Sequence, residues 1–123
     1  MRDTVAGPAV GLDAAAIFGR ERPTSGPCPV DLCVAAIGGK WKPTILYHLA
    51  FGPTRFNALR RLIPSVTARM LALQLRELEA DGIVSRAVAV QVPPRVDYAL
   101  TPLGLTLLPI LQAMAAWGRA RAA

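Results

Sequence analysis

The spacing of apolar residues in this chain changes period at Gly82. Before it, Leu71, Leu75 and Leu78 recur at i, i+4 and i+7 within a stretch that Thr67 opens and Asp81 ends. After it, Val84, Val88, Val90 and Val92 alternate with smaller or polar residues, and so do Val96, Tyr98 and Leu100. The first spacing lines one face of a helix; the second lines one side of a strand. Gly82 suits the left-handed turn that closes a helix. Pro93-Pro94-Arg95 cannot continue a ladder, so it reads as a turn. A helix therefore runs directly into a β-hairpin.

Upstream, the same rules mark three shorter helices. Cys28-Pro29 is a start, because proline at the first helical position loses only an N–H that has no partner there; Cys28 is then the N-cap. Val30, Val34, Ala35 and Ile37 form its apolar stripe, and Gly38-Gly39 stops it. Lys42 to Ala50 follows, with Ile45, Leu46 and Leu49 inward and Gly52-Pro53 as the stop. Thr54 is expected to cap the next helix, in which Phe56, Leu59 and Leu62 share a face. Ile63 to Val66 is the tight turn before Thr67. Beyond the hairpin, Thr101-Pro102 opens a last helix through Ala120, which Pro109 is expected to kink. The fold expected is mainly α with a small β-hairpin wing, a winged helix-turn-helix. It occupies residues 27–123. Residues 1–26, punctuated by Gly7, Pro8, Gly11, Gly19, Pro23 and Gly26, read as an arm in which Ala14 to Phe18 makes a turn or two of helix.

Charge then narrows the partner. Of 123 residues, 14 are Lys or Arg and 8 Asp or Glu, a net charge of +6. Within residues 1–26 the charges cancel (Arg2, Arg20 and Arg22 against Asp3, Asp13 and Glu21), so the whole excess lies in 27–123. A basic domain favours polyanions, either nucleic acid or an anionic membrane surface. No secretory signal is expected, since Asp3, Pro8 and Asp13 interrupt the N-terminal apolar residues. The longest apolar stretch, Leu103 to Trp117, is short for a bilayer and contains proline. Two cysteines and one histidine, His48, supply neither a disulfide scaffold nor zinc-ligand spacing. The expectation is a cytoplasmic protein with no metal and no cofactor. There are no paired carboxylates, no nucleophile–base set and no phosphate-cradling glycine loop, so an enzyme is not expected.

With the leucines of 67–81 inward, the opposite side presents Thr67, Ala68, Arg69, Leu73 and Arg76, with Gln74 at an angle between core and surface. Arginine reads guanine and glutamine reads adenine by paired hydrogen bonds in a major groove. Lys40, Lys42, Arg55 and Asn57, with Arg60 and Arg61, flank this helix and are placed to hold phosphates. Arg86 and Arg95 put charge on the wing, Arg95 at its tip. Each such residue taken alone is more often just a solvated surface side chain; the set is what points to duplex DNA.

Several motifs also coincide. They are Cys28-Pro29-Val30, Ile37-Gly38-Gly39-Lys40-Trp41, Gly52-Pro53 with Arg55-Phe56-Asn57-Ala58-Leu59, Met70-Leu71, and Leu75 through Gly82. Val92 through Thr101, Leu108-Pro109 and Trp117-Gly118 complete the set. In these the chain resembles the HxlR family of bacterial regulators, relatives of MarR-type winged-helix proteins, over essentially all of residues 27–119. The resemblance implies a homodimeric DNA-binding repressor or activator. In it the helix opened by Thr67 does the reading, and the first and last helices of the domain form the dimer interface. It also implies that Cys28 stands where some members carry a thiol that senses oxidants or electrophiles. Ala68 and Arg69 depart from the usual Pro and Lys there, and Cys33 lies outside the pattern.

The last helix supports a dimer on its own chemistry. Leu107, Leu111, Met114 and Trp117 belong to an apolar surface too wide for packing on one small domain, so a second copy is expected to cover it. A membrane-surface helix would carry more basic residues than Arg119 and Arg121. Cys28 sits at a helix N-terminus, where a thiolate is stabilised, and reads either as a redox-sensing thiol or as a plain cap. Cys33 reads as a small core residue. Trp41, Tyr47, Phe51, Phe56 and Tyr98 read as core or as the lining of an effector pocket. Two alternatives stay open: a winged-helix protein-interaction module without specific DNA binding, and a dimer governed by an organic effector with its thiols irrelevant.

Overall fold

A computed structural model describes residues 13–123; Arg2, Asp3 and the rest of the first half of the arm lie outside the described residues. The chain begins with α1 (Ala14–Phe18), whose N-cap Asp13 accepts from the Ala15 and Ala16 amides and which buries none of its residues. Then come α2 (Pro29–Ile37), α3 (Lys42–Leu49), β1 (Thr54–Arg55), α4 (Phe56–Leu62) and α5 (Ala68–Ala80). The wing is β2 (Val84–Ala89) and β3 (Arg95–Leu100), followed by α6 (Pro102–Leu105) and α7 (Leu108–Ala122). The result is the winged helix-turn-helix that the change of period implies.

Helices α3, α4 and α5 close around one apolar centre. Ile45 and Leu46 of α3, Leu59 of α4, and Leu71 and Leu78 of α5 are fully buried, and Leu75 is almost so. Ile63 and Val66, either side of the turn between α4 and α5, are buried too and anchor that turn from within. Thr67 caps α5 by accepting from the Met70 amide at 3.0 Å.

Three local details differ from the expectation. Thr54 does not cap α4; it lies in β1, pairs with Tyr98 of β3, and its hydroxyl donates to the Gly52 carbonyl at 2.9 Å. The N-cap of α4 is Arg55, without a side-chain cap. The wing is therefore a three-stranded antiparallel sheet in the order β1-β3-β2. Second, the last helix is two helices. The Pro109 nitrogen has no hydrogen with which to continue a helix from Leu105, so the chain breaks at Thr106-Leu107 and restarts with proline in the first turn of α7. Third, the outer half of the hairpin covers nothing. Val84 is buried, but Val88, Val90 and Val92 are exposed, because no helix extends beneath the wing's far end.

Gly104 fixes the junction between wing and α6. A Cβ there would run into the Ile83 carbonyl oxygen, so only glycine permits this approach. Thr101 locks the same corner, donating its hydroxyl proton towards the Gly82 and Ile83 carbonyls and accepting from the Gly104 amide.

Candidate nucleic-acid interface

Helix α5 is divided along its length. Leu71, Leu75 and Leu78 close the core, while Thr67, Ala68, Arg69, Leu73 and Arg76 are exposed on the other side. Gln74 is half-buried, and its amide nitrogen lies 3.3 Å from the Met70 sulfur. That weak bond holds it along the helix, and it must turn outward to meet a base edge. Arg55, Asn57, Arg60 and Arg61 are exposed on β1 and α4, and the Lys40 ammonium sits 4.8 Å over the Trp41 ring.

Lys42 is placed differently from the expectation. Its ammonium lies 2.7 Å from Glu77 of α5, and only 12% of its side chain is exposed. An ammonium so engaged binds the two helices to one another and does not present itself to a phosphate. Sequence reading missed this because Glu77 is distant along the chain and looks like any solvated helix acid. The wing shows the same pairing of base with acid. Arg95 opens β3 and its Nε donates to both Asp97 carboxylate oxygens. Arg86 lies 3.9 Å from Glu79. Partial burial pushes the Tyr98 phenol above its ordinary pKa, an effect opposed by the nearby positive charges of Arg86 and Arg76 and reinforced by Glu79.

The expected interface helices present a second surface. Met114 and Trp117 of α7 are exposed, as are Ile110, Leu103 and Leu105. Leu111 does not belong to that surface: at 5% exposure it is part of its own chain's core, because α7 turns it inward onto the helix-turn-helix body. Leu107 is intermediate and packs against the same core. On α2 the stripe also faces away from the body. Val30, Leu32 and Val34 are exposed and Ile37 alone is buried. Cys28 is exposed at the N-cap position and makes no side-chain cap bond; Cys33 is half-buried against the core.

The aromatic residues divide into two groups. Trp41, Phe56 and Tyr98 pack on the core. Tyr47 and Phe51, edge to face at 5.5 Å, line an open groove of about 300 Å³ with Leu108, Leu111, Ala115 and Arg119. Among the described residues no helix is long and apolar enough to cross a membrane, and no three metal-ligating side chains cluster.

The chain is similar to known regulators of transcription. The HxlR-like helix-turn-helix family matches residues 36–123. The HTH-type transcriptional regulator YybR of Bacillus subtilis is 58% identical over 91 residues, 74% of this chain and 73% of YybR. The redox regulator HypR in its oxidised form superposes with a TM-score of 0.74 at 57% identity, over 76% of this chain and 96% of HypR. The reduced form of the transcriptional regulator YodB from B. subtilis gives a TM-score of 0.66 at 36% identity, over 75% of this chain and 91% of YodB. The family match spans well over half of the sequence, and the chain belongs to the HxlR-like helix-turn-helix family of transcriptional regulators.

Proposed function

We propose that two copies of this chain bind duplex DNA in the cytoplasm as a homodimer, each inserting the N-terminal half of α5 into a major groove. The observation that carries the reading is the division of α5: leucines closed off on one side, and Thr67, Ala68, Arg69, Leu73 and Arg76 exposed on the other. Arg69 reads a base edge, while Lys40, Arg55, Asn57 and Arg95 hold the backbone. Lys42 acts from behind, steadying α5 through Glu77. The exposed apolar residues of α2 and α7, Met114 and Trp117 among them, meet their counterparts in the second copy.

DNA affinity is set by a signal, and Cys28 is the thiol placed to receive it. It is exposed and precedes the first turn of α2, the helix whose exposed Val30 and Val34 are proposed to meet the partner. The likeness to a redox regulator supports this reading. Two Cys28 thiols, one from each copy, would give up two protons and two electrons to an oxidant and join as a disulfide. That link, or a mixed disulfide, would change the spacing of the two α5 helices. The groove at Tyr47 and Phe51 supports a second input, an apolar effector bound between α3 and α7.

The test is binding of the purified protein to the DNA upstream of its own gene, across salt, with and without a mild oxidant. Tight, salt-steep binding that is lost on oxidation and restored by reductant is expected. Binding indifferent to oxidant would discard the thiol and leave the groove as the input. No specific binding in either state would overturn the DNA reading.

A further inference from the structure

The outer face of the small sheet carries an arrangement that α5 does not use. Strand register puts Arg55 of β1 directly beside Asp97 of β3, with Ala87 of β2 on the other side. Arg95 lies two residues before Asp97, hence on the same face, beside Ala89. One carboxylate thus stands among two arginines, one from the strand that enters α4 and one from the wing. On β2 the neighbours of Asp97 and Arg95 are Ala87 and Ala89, whose side chains are too short to compete for the guanidinium group.

The contacts within this group are directional. Arg95 reaches both Asp97 oxygens through Nε, at 3.1 and 3.2 Å. The two Nη groups of a guanidinium carry four further N–H donors, so this engagement leaves most of the fork for another anion. The side chains are 42% and 28% exposed, so the pair is worth little to the fold and is accessible from outside. Arg55 and Arg95 are diagonal neighbours on adjacent strands, about 7–8 Å apart at the backbone and within reach of one ligand for side chains of this length. Two arginines and one aspartate retain a net positive charge, and paired N–H donors suit the oxygens of a phosphodiester.

We propose that Arg55 and Arg95 form a single clamp for one DNA phosphate, with Asp97 as the positioning residue that holds Arg95 in place for it. The clamp joins the helix-turn-helix to the wing through one contact, so that the wing is seated only when β1 is. This deepens the reading that this side of the domain faces DNA, and rests on it.

The experiment uses the sign of a charge effect. Full-length protein is titrated with a duplex enriched from a random-sequence library by the unaltered protein, across salt. Arg55→Ala and Arg95→Ala should each weaken binding and reduce the salt slope by about 1. The double variant should lose less than the product of the two, because either loss releases the same phosphate. Asp97→Asn removes a negative charge beside a polyanion, and by charge alone it should tighten binding. The clamp requires the opposite, a weakening of about two- to fivefold, the scale of a partly exposed ion pair. Repeated in the Arg95→Ala background, where there is nothing left to position, the same change should tighten binding. Thermal unfolding confirms that the sheet survives. If Asp97→Asn unfolds, Arg95→Lys takes its place: it keeps the charge but loses the fork, and should bind as weakly as Arg95→Ala. Tightening by Asp97→Asn in the unaltered protein, multiplicative losses in the double variant, or Arg95→Lys binding like the unaltered protein would each overturn the clamp. No effect of either arginine would overturn the wing's approach to DNA itself, a different pattern of results.

Discussion

The helix-turn-helix body and the helices that flank it use similar apolar side chains in opposite ways. In α3, α4 and α5 most large aliphatics are spent inside the chain: Ile45, Leu46, Leu59, Leu71 and Leu78 have no exposed surface at all, and only Leu62 and Leu73 face outward. In α2 and α7 most remain unspent. Each of these helices buries one residue, Ile37 or Leu111, while Val30, Leu32, Val34, Ile110, Met114 and Trp117 face outward. A single-chain core ends where the layer of helices ends, and apolar surface left beyond it must be covered by something else or kept in water at a cost. The chain therefore closes one core of its own in α3, α4 and α5 and leaves a second apolar surface on α2 and α7, the surface proposed to meet a second copy.

That contrast can be broken from either side. The largest effect belongs to the body: Leu75→Ala opens a cavity at the centre of three helices and should cost about 2–5 kcal/mol in denaturant unfolding. Joint replacement of Met114 and Trp117 by Glu should leave the body folded yet weaken association by about 2 kcal/mol or more, seen as monomer by sedimentation. If that double variant instead unfolds with the body, the division into two regions is wrong. Arg69→Ala should cost about 1–3 kcal/mol of DNA binding and relax sequence preference, with unfolding unchanged. Glu77→Ala strands the nearly buried Lys42 ammonium and should cost about 1–2 kcal/mol of stability, whereas Lys42→Met, which leaves a half-exposed acid to water, should cost less. The smallest effect is that of Cys28→Ser: within about 0.5 kcal/mol in stability, but with the response of DNA binding to oxidant abolished.

Much of the body was legible in the sequence because its signals are local. Leu71, Leu75 and Leu78 announce their helix by spacing, Thr67 its start, and Gly82 its end. The features missed are those that depend on partners far along the chain. Thr54 looks like a cap and becomes a strand residue because Tyr98 is there to pair with it. Lys42 looks like a phosphate ligand and is taken by Glu77. Leu111 looks like every other leucine in its apolar helix, and only the direction in which α7 packs assigns it to the core. The Arg95–Asp97 pair lay within reach of sequence reading, since residues two apart on a strand share a face. Pro109 suggests a kink in one long helix, but its place is in the first turn of a second helix, where its missing N–H costs nothing.

The most direct test of the central claim is sedimentation of the protein with and without its upstream DNA, comparing the unaltered chain with the Met114→Glu/Trp117→Glu variant. The account predicts that the unaltered protein sediments as a dimer and binds one duplex with two chains. The variant should be a folded monomer whose affinity for the same duplex falls steeply. A monomer that binds the duplex as tightly as the unaltered protein would contradict it.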